Sequence, residues 1–293
     1  MSTRTFQFVI FLLLLWFLVP SSEVVYGKED EKFYATIVEF DGEVFLQKPE
    51  EAIWLPVEKE IPIEEGDLIR TGATAYAEIL LDDGSQVRIE ENTEVTLKEL
   101  YADTEKDIVV STISLWFGRL FMNIKKFTHS ESRFDVKTPT MVAGVRGTDF
   151  IVETTNSEQT DVGVFDGVVA VGGLDSEGKF IKESEILLTK GHQTKVMKHK
   201  RPATSIKLKP KMLAYEKRMK ILKKKAPDRL RILKNIKENR LKAHKKVIKK
   251  WEKIKREKLI KLNKLKNKDS IEKFQKRKIE IERLRKRKNM RNL

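Results

Sequence analysis

Short runs in which apolar and polar residues alternate fill most of residues 28–200, and this alternation limits what the segment can fold into. In one run Ala77, Ile79 and Leu81 occupy every second position. The pattern recurs in the stretches 86–90, 95–98 and 119–124. A period of two is typical of a β-strand with one apolar face. Because Asp-Gly, Glu-Asn and Gly-Gly pairs separate the runs, we predict an all-β unit of about 13 to 15 short strands, and the spacing leaves a sandwich, a barrel and a solenoid open.

Charge divides the chain into two unlike parts. Residues 211–293 contain 35 Lys and Arg against 9 Asp and Glu, a net charge of +26. Residues 1–210 contain 24 against 35, a net charge of −11. Such asymmetry is typical of a globular body with an interaction tail. The chain has no cysteine, which excludes a disulfide framework and a thiolate metal site.

The N-terminal residues have the pattern of an export signal. Arg4 precedes an unbroken apolar run at 8–19, and Gly27 is a small residue suited to a cleavage site. The run is shorter than the roughly 20 residues that a membrane-spanning helix needs. We predict a signal peptide or a signal anchor over residues 1–27, and either one places the body outside the cytoplasm.

An ordered set of short motifs runs through residues 36–196. It comprises Gly42-x-Val44, Trp54, Gly66-Asp67-x-Ile69-x-Thr71-Gly72, Asp83-Gly84-Ser85-x-Val87-x-Ile89, Gly118-x-Leu120, Phe134-x-Val136-x-Thr138-Pro139, Ala143-x-Val145-Arg146-Gly147-Thr148-x-Phe150 and Leu188-x-x-Gly191. The set resembles the FecR domain family. The resemblance implies a twisted, solenoid-like or sandwich-like stack of short strands on the extracytoplasmic side of a membrane. The predicted fold class is therefore mainly β, with a FecR-like domain over residues 28–200 and a basic α-helical tail over residues 201–293.

The best known members of that family regulate iron–siderophore uptake through a cytoplasmic anti-sigma segment and a membrane helix. Here about seven residues precede the apolar run, so we expect no anti-sigma segment. A lysine-rich tail stands where those members have a second module. We therefore expect an exported binding or scaffold protein of the cell envelope, located in the periplasm or elsewhere outside the cytoplasm. A sensor or regulatory component of a signalling pathway is the alternative.

The motif residues are predicted to be structural. They are Gly66, Asp67, Thr71, Gly72, Asp83, Gly84, Thr138, Pro139, Arg146, Gly147, Thr148 and Phe150. The Asp67 carboxylate is expected to accept backbone N–H bonds and hold its loop. Arg146 is expected to pair with a carboxylate of the body, and contact with an anionic ligand is the alternative.

The sequence gives little support to a catalytic or a metal-binding site. The four histidines lie in no metal-ligand spacing, and the chain has neither a G-x-S-x-G elbow nor a phosphate-binding P-loop. The acidic residues near 82 and 103–107 fit no calcium-binding loop. We expect no enzyme activity, no metal and no cofactor.

Helices are predicted for the tail in three pieces. The first follows Pro210 and covers 211–225, and the second covers 228–266 after Pro227. A capping box at Asp269-x-x-Glu272 predicts the start of the third. A sparse apolar stripe leaves a coiled coil open; it comprises Leu230, Leu233, Val247, Trp251, Ile254, Leu262 and Leu265.

The charge of the tail predicts an electrostatic arm. The expected partners are anionic lipid headgroups, lipopolysaccharide phosphates, acidic wall polymers, another envelope protein or the acidic bodies of other copies in a homo-oligomer. Candidate anion contacts are Lys245, Lys246, Lys249, Lys250, Arg285, Lys286, Arg287 and Lys288. A solvated helix that acts as a spacer is one alternative. Nucleic acid is another, but the export signal argues against it, and we expect none to bind.

Overall fold

The computed structural model describes residues 33–49 and 51–290. The strands of this part are β1 (Ala35–Asp41), β2 (Val44–Gln47), β3 (Leu55–Pro56), β4 (Pro62–Ile63), β5 (Leu68–Thr71), β6 (Tyr76–Leu81), β7 (Gln86–Ile89), β8 (Glu94–Asp103), β9 (Ile108–Asn123), β10 (Arg133–Lys137), β11 (Met141–Val145), β12 (Asp149–Asn156), β13 (Gln159–Asp166), β14 (Val168–Gly173), β15 (Ile186–Thr189), β16 (His192–Met197) and β17 (Ile206–Lys207). Two helices follow them, α1 (Pro210–Lys224) and α2 (Ala226–Met290). The predicted signal segment, residues 1–27, lies outside the described residues.

The strands form two open β-sheets of nine strands each, which share β9 and which we call ladder A and ladder B. Ladder A has the order β4-β1-β6-β7-β9-β12-β13-β16-β17. Ladder B has the order β3-β2-β5-β8-β9-β10-β11-β14-β15. Among the described strands β9 pairs in parallel with β10, and the other pairings are antiparallel. Strand β9 belongs to both ladders and joins them.

One apolar core contains side chains from both ladders. Ile79 and Val152 come from ladder A, whereas Ile69 and Val136 come from ladder B, and all four are buried. The alternation read from the sequence supplies this core, because Ala77, Ile79 and Leu81 point into it from β6. The chain is thus mainly β with helices at its C-terminal end, which confirms this part of the predicted fold class.

The passage of β9 from one ladder to the other depends on Gly118. Residues on its N-terminal side pair with β8, and residues on its C-terminal side pair with β7 and β12. Gly118 has a φ of +102°, and a Cβ atom at this position would lie 2.1 Å from Thr93 Oγ1. The left-handed backbone and the close approach both favour glycine here.

Helix α1 begins at Pro210, as the first-turn proline predicts. Helix α2 begins at Ala226 and has Asp228 in its first turn. The predicted break before Asp269 is wrong, since α2 runs on to Met290 without interruption. The chain has neither glycine nor proline between Asp228 and Met290, and extending a helix costs less than ending it and nucleating another. No helix of the described residues is both long and apolar enough to cross a membrane.

Candidate functional site

Four carboxylates lie on the outer surface of ladder A, opposite the core. We call Glu78, Glu90, Asp149 and Glu153 the acidic face. Their side chains are 2 to 10% exposed. The strand alternation accounts for their orientation, because Glu78 lies between two core residues of β6. Carboxylates at this degree of burial need partners, since an isolated buried charge is costly.

Apolar side chains share the outer surface with the acidic face. Phe121, Ile151 and Phe165 are buried although they point away from the main core. The side chains that cover them come from α1 and form a second core with them. These helix residues are Met212, Tyr215, Met219 and Leu222.

The spacing of its apolar residues lets α1 lie on this surface. Steps of three and four residues separate Met212, Tyr215, Met219 and Leu222 and place them on one side of the helix. Gly163 of β13 permits the close approach, because an added Cβ would lie 3.2 Å from Leu208 Cδ2 and 3.3 Å from Met212 Sδ. The tail is therefore packed on the body by apolar contacts as well as by charge.

Cations of α1 and of the first turn of α2 reach every carboxylate of the acidic face. Lys211 Nζ lies 2.7 Å from Glu153 Oε2, and Lys223 Nζ lies 2.5 Å from Asp149 Oδ2. Arg218 pairs with Glu90, and Arg229 pairs with Glu78. Arg229 itself is buried, with 5% of its side chain exposed.

Further along α2 the contacts to the body continue. Arg240 binds Asp82 through two nitrogens at 2.5 and 2.7 Å. Four more contacts join α2 to the segment 51–58. They are Lys250 to Glu58 at 2.5 Å, Lys255 to Glu51 at 2.6 Å, the Trp251 indole N–H to the Pro56 carbonyl at 3.3 Å and Lys258 Nζ to the Trp54 carbonyl at 2.9 Å. The acidic part of the chain is thus a partner of its own basic tail.

Most of the described members of the predicted apolar stripe of the tail face the body. Leu233, Val247 and Trp251 are buried, and Ile254 packs against the main core. Leu230 is 48% exposed. The side chains of Leu262 and Leu265 lie outside the described residues. In a coiled coil the stripe would pack against a second helix, but here its described residues pack on strands of the body. The described part of α2 therefore gives no support to a coiled coil.

Two groups of pKa shifts make the stability of the docked tail depend on pH. Burial alone would raise the pKa of Glu39, but hydrogen bonds from Lys225 and Tyr76 lower it below its ordinary value of 4.5. Hydrogen bonds to Glu153 and Asp149 raise the pKa values of Lys211 and Lys223 above 10.5. The lowered pKa contributes stability that is lost as the pH falls through it, and the raised values contribute stability that is lost as the pH rises through them.

We therefore expect the urea midpoint of the full chain to be highest between about pH 5 and pH 10. It should fall on the acid side as Glu39 takes up a proton and on the alkaline side as the two lysines lose theirs. Urea titrations at pH 3, 7 and 11 measure this. A midpoint that stays constant across the range would contradict these ion pairs.

The predicted motif residues hold turns and corners. Asp67 is fully buried, and its Oδ2 accepts Lys48 Nζ at 2.8 Å and the Glu64 N–H at 2.9 Å. Burial raises the pKa of Asp67, although Lys48 opposes this. Asp83 accepts the backbone and hydroxyl hydrogens of Ser85, both at 2.8 Å. Each carboxylate therefore stabilises its own loop.

The remaining motif positions also make internal contacts. Thr71 Oγ1 donates to the Glu90 carbonyl, and Thr148 Oγ1 donates to the Val168 carbonyl at 2.9 Å. The other members either lie between strands or are buried among them. They are Gly66, Gly72, Gly84, Thr138, Pro139, Gly147 and Phe150.

Arg146 has different partners from those we expected. Its guanidinium donates to the carbonyl oxygens of Phe127, Thr128 and His129, at 3.0 to 3.4 Å, and not to a carboxylate. These carbonyls belong to the loop between β9 and β10, which has no strand partner for them. Arg146 therefore stabilises this loop.

The candidate anion contacts of α2 divide by their position on the helix. Lys245, Lys246 and Lys249 are exposed, and no ion pair joins them to a described residue of the body. Lys250 is engaged by Glu58. The side chains at 285–288 lie outside the described residues. Lys245 and Lys249 are each two residues, or about 200°, from the buried Val247, which places them on the solvent side.

The acidic face was not predicted as a site from the sequence. Its signal was nevertheless present, since Phe121, Ile151 and Phe165 are large apolar residues at positions that alternate with the core residues of their strands. An apolar residue on the polar side of a strand indicates that something covers it. Of the described residues, none form a cluster of His, Cys, Asp and Glu that could hold a metal ion.

Comparison with known proteins gives one family match and weak structural similarity. The model of the FecR protein family matches residues 67–170. Two crystal structures of a proposed anti-sigma factor from Parabacteroides distasonis ATCC 8503 are similar to the chain, at 20 and 19% identity with TM-scores of 0.38 and 0.39. Each comparison covers 50% of this chain and 62% of the other. No curated protein matches the chain.

Proposed function

We propose, on the premise that residues 67–170 form a FecR domain, that the chain is a non-enzymatic binding and scaffold protein of the cell envelope. In this proposal the β body is exported and the solvent side of α2 holds an anionic envelope component. Phosphate groups of lipids, of lipopolysaccharide or of wall polymers have the required chemistry. The observation that carries the proposal is the division of the α2 cations between the body and the solvent.

The division supports anion binding by a docked helix. The body-facing cations of α2 bind carboxylates or carbonyl oxygens of the body, whereas Lys245, Lys246 and Lys249 are exposed and face the solvent. A helix fixed along one side presents its remaining lysines in a constant arrangement. The whole chain keeps a formal net charge of +15 after its own carboxylates are counted. Attraction to a dense array of phosphates follows from that excess.

The motif residues support a non-enzymatic role. Asp67, Asp83 and Arg146 are occupied by contacts that hold loops. The carboxylates of the acidic face are occupied by cations of the tail. Polar groups that are matched in this way serve the fold and the docking of the tail.

Replacing Lys245, Lys246 and Lys249 with glutamine is expected to weaken binding of the full chain to phosphatidylglycerol-containing vesicles. A lysine near an anionic surface contributes about 1 kcal/mol, so three of them correspond to roughly a hundredfold in affinity. Co-sedimentation with vesicles at low and at high salt measures the effect, and high salt should reduce binding by the native chain.

The matched control removes three exposed lysines of the body, Lys98, Lys137 and Lys182. It changes the net charge by the same amount and should lower binding much less. If both triple variants lose the same affinity for the vesicles, binding to the anionic surface depends on the total charge of the chain and not on the lysines of α2. If the native chain binds neither anionic vesicles nor soluble polyphosphate, the proposed function is wrong.

A sensor or regulatory component is the second candidate, and the FecR match favours it. The two candidates differ in their partner. A scaffold needs an anionic surface, whereas a regulator needs a specific membrane protein. Cross-linking of the full chain in cells followed by identification of the captured proteins separates them, because a regulator should yield one protein in constant ratio to the chain.

A further inference from the structure

Two parts of the docked tail are held in different ways. We call residues 211–229 the anchor and residues 244–258 the strap. The anchor pairs with Glu78, Glu90, Asp149 and Glu153, whose side chains are at most 10% exposed. The strap pairs with Glu58 and Glu51, whose side chains are 32 and 36% exposed. The exposure of the carboxylates decides how each part responds to a competing anion.

Removal of the anchor would take a cation from each of these buried carboxylates and would leave Asp149 without its ion pair, whereas Arg88 and Arg119 of the body would still pair with the other three. A carboxylate that is buried and unpaired is costly, and surrounding salt screens such a pair weakly. The anchor also shares the second core with Phe121, Ile151 and Phe165. Both contributions oppose its release.

If the strap were removed, the carboxylates of Glu51 and Glu58 would become hydrated at little cost, because both are already partly exposed. Ion pairs at this exposure contribute little and are weakened by salt. What holds the strap is therefore chiefly the burial of Val247 and Trp251 and two bonds to carbonyl oxygens, from the Trp251 indole to Pro56 and from Lys258 to Trp54.

A flexible polyanion offers the strap more negative charges than the body does. It can bind the solvent-side Lys245 and Lys249 first and then compete with Glu58 for Lys250 and with Glu51 for Lys255. We infer that the strap is a cover over the segment 51–58 which a polyanion releases, while the anchor stays docked. This inference rests on the proposed function, since it requires that α2 binds anions.

The test uses the full chain with a single tryptophan as a reporter. Trp16, Trp54 and Trp116 are replaced with phenylalanine, so that emission reports Trp251 alone. Long-chain polyphosphate is then titrated at low salt. We expect the Trp251 emission to shift to the red and its quenching by acrylamide to increase, and we expect added salt to reverse both changes.

A second reporter follows the anchor. Tyr215 lies in the second core, and Tyr215→Trp combined with Trp251→Phe places the tryptophan there. Its emission should stay constant while polyphosphate binds. If both reporters shift, the whole tail leaves and the division into anchor and strap is wrong. If polyphosphate binds by anisotropy but Trp251 does not shift, the strap stays docked and the inference is overturned while the proposed function stands.

A matched pair of variants checks the role of the exposed ion pairs. Glu51→Gln combined with Glu58→Gln should lower the polyphosphate concentration for half of the Trp251 shift severalfold, because the body then no longer competes for Lys255 and Lys250. Glu183→Gln combined with Glu185→Gln removes two exposed carboxylates elsewhere on the body, changes the net charge by the same amount and should leave that concentration nearly unchanged. Equal effects from the two variants would contradict the strap.

Discussion

Replacing Arg229 with alanine is expected to lower the free energy of unfolding by about 1–3 kcal/mol, the cost of leaving a buried carboxylate oxygen without its partner. Arg229 is the partner of Glu78, and both side chains are at most 5% exposed. Without the guanidinium, Glu78 Oε1 keeps Arg88 at 2.7 Å and Lys225 at 3.7 Å, but Oε2 loses the cation that Arg229 supplied. Urea unfolding followed by circular dichroism measures the change.

Arg231 provides the matched control for this substitution. It lies one half-turn along the same helix, and its side chain is 81% exposed. Arg231→Ala should change the free energy of unfolding by no more than about 0.5 kcal/mol. Similar losses from the two alanine variants would show that helix propensity or total charge, and not the buried pair, accounts for the effect.

A second substitution keeps the prediction testable if the first variant does not fold. Glu78→Gln in the Arg229→Ala background removes the buried charge that lost this partner and should recover part of the lost stability. Comparison of the two single variants with the double variant gives the coupling energy of the pair. A double variant that is as unstable as the sum of the two single variants would contradict a direct interaction.

Replacing Phe121 with alanine is expected to cost about 3–5 kcal/mol, the range for a buried phenylalanine. Phe121 is fully buried on the outer surface of ladder A and meets the Tyr215 ring edge-on, with the ring centroids 5.6 Å apart. The substitution leaves a cavity beneath α1. We therefore expect the helix to detach more often, and trypsin to cleave within α1 sooner than in the native chain.

Phe117 of the same strand is the control. It is 40% exposed, and Phe117→Ala should cost less than about 1 kcal/mol and should leave the rate of cleavage within α1 unchanged. If Phe121→Ala lowers the stability without changing cleavage, the second core stabilises β9 alone. If neither variant affects unfolding or cleavage, α1 is not docked on this surface.

Local sequence patterns predicted most of the body. Ala77, Ile79 and Leu81 alternate in the sequence and lie in the core, and the motif carboxylate Asp67 accepts the backbone N–H bond that its loop position suggested. The helix start at Pro210 followed from the same kind of information. These features depend on neighbours within a few residues, so the sequence displays them directly.

Prediction failed where a partner is distant in the sequence. The polar side of β9 gave no partner for Phe121, because Met219 and the rest of α1 follow about 90 residues later. Arg146 was predicted to pair with a carboxylate because of its charge, but it donates to carbonyl oxygens of the loop between β9 and β10. The third helix was predicted from the capping box at Asp269-x-x-Glu272, but these residues lie within one continuous helix and mark no helix start.

The sequence by itself determined the strands, the helices and the opposite charges of the two parts of the chain, because periodicity and composition are local or additive properties. The tertiary structure alone decided that the tail binds its own body and which cation meets which carboxylate. Arg218 and Glu90 are 128 residues apart, and Arg229 and Glu39 are 190 apart. Charge attracts without selecting a partner, so the selection came from the apolar contacts that fix α1 on ladder A.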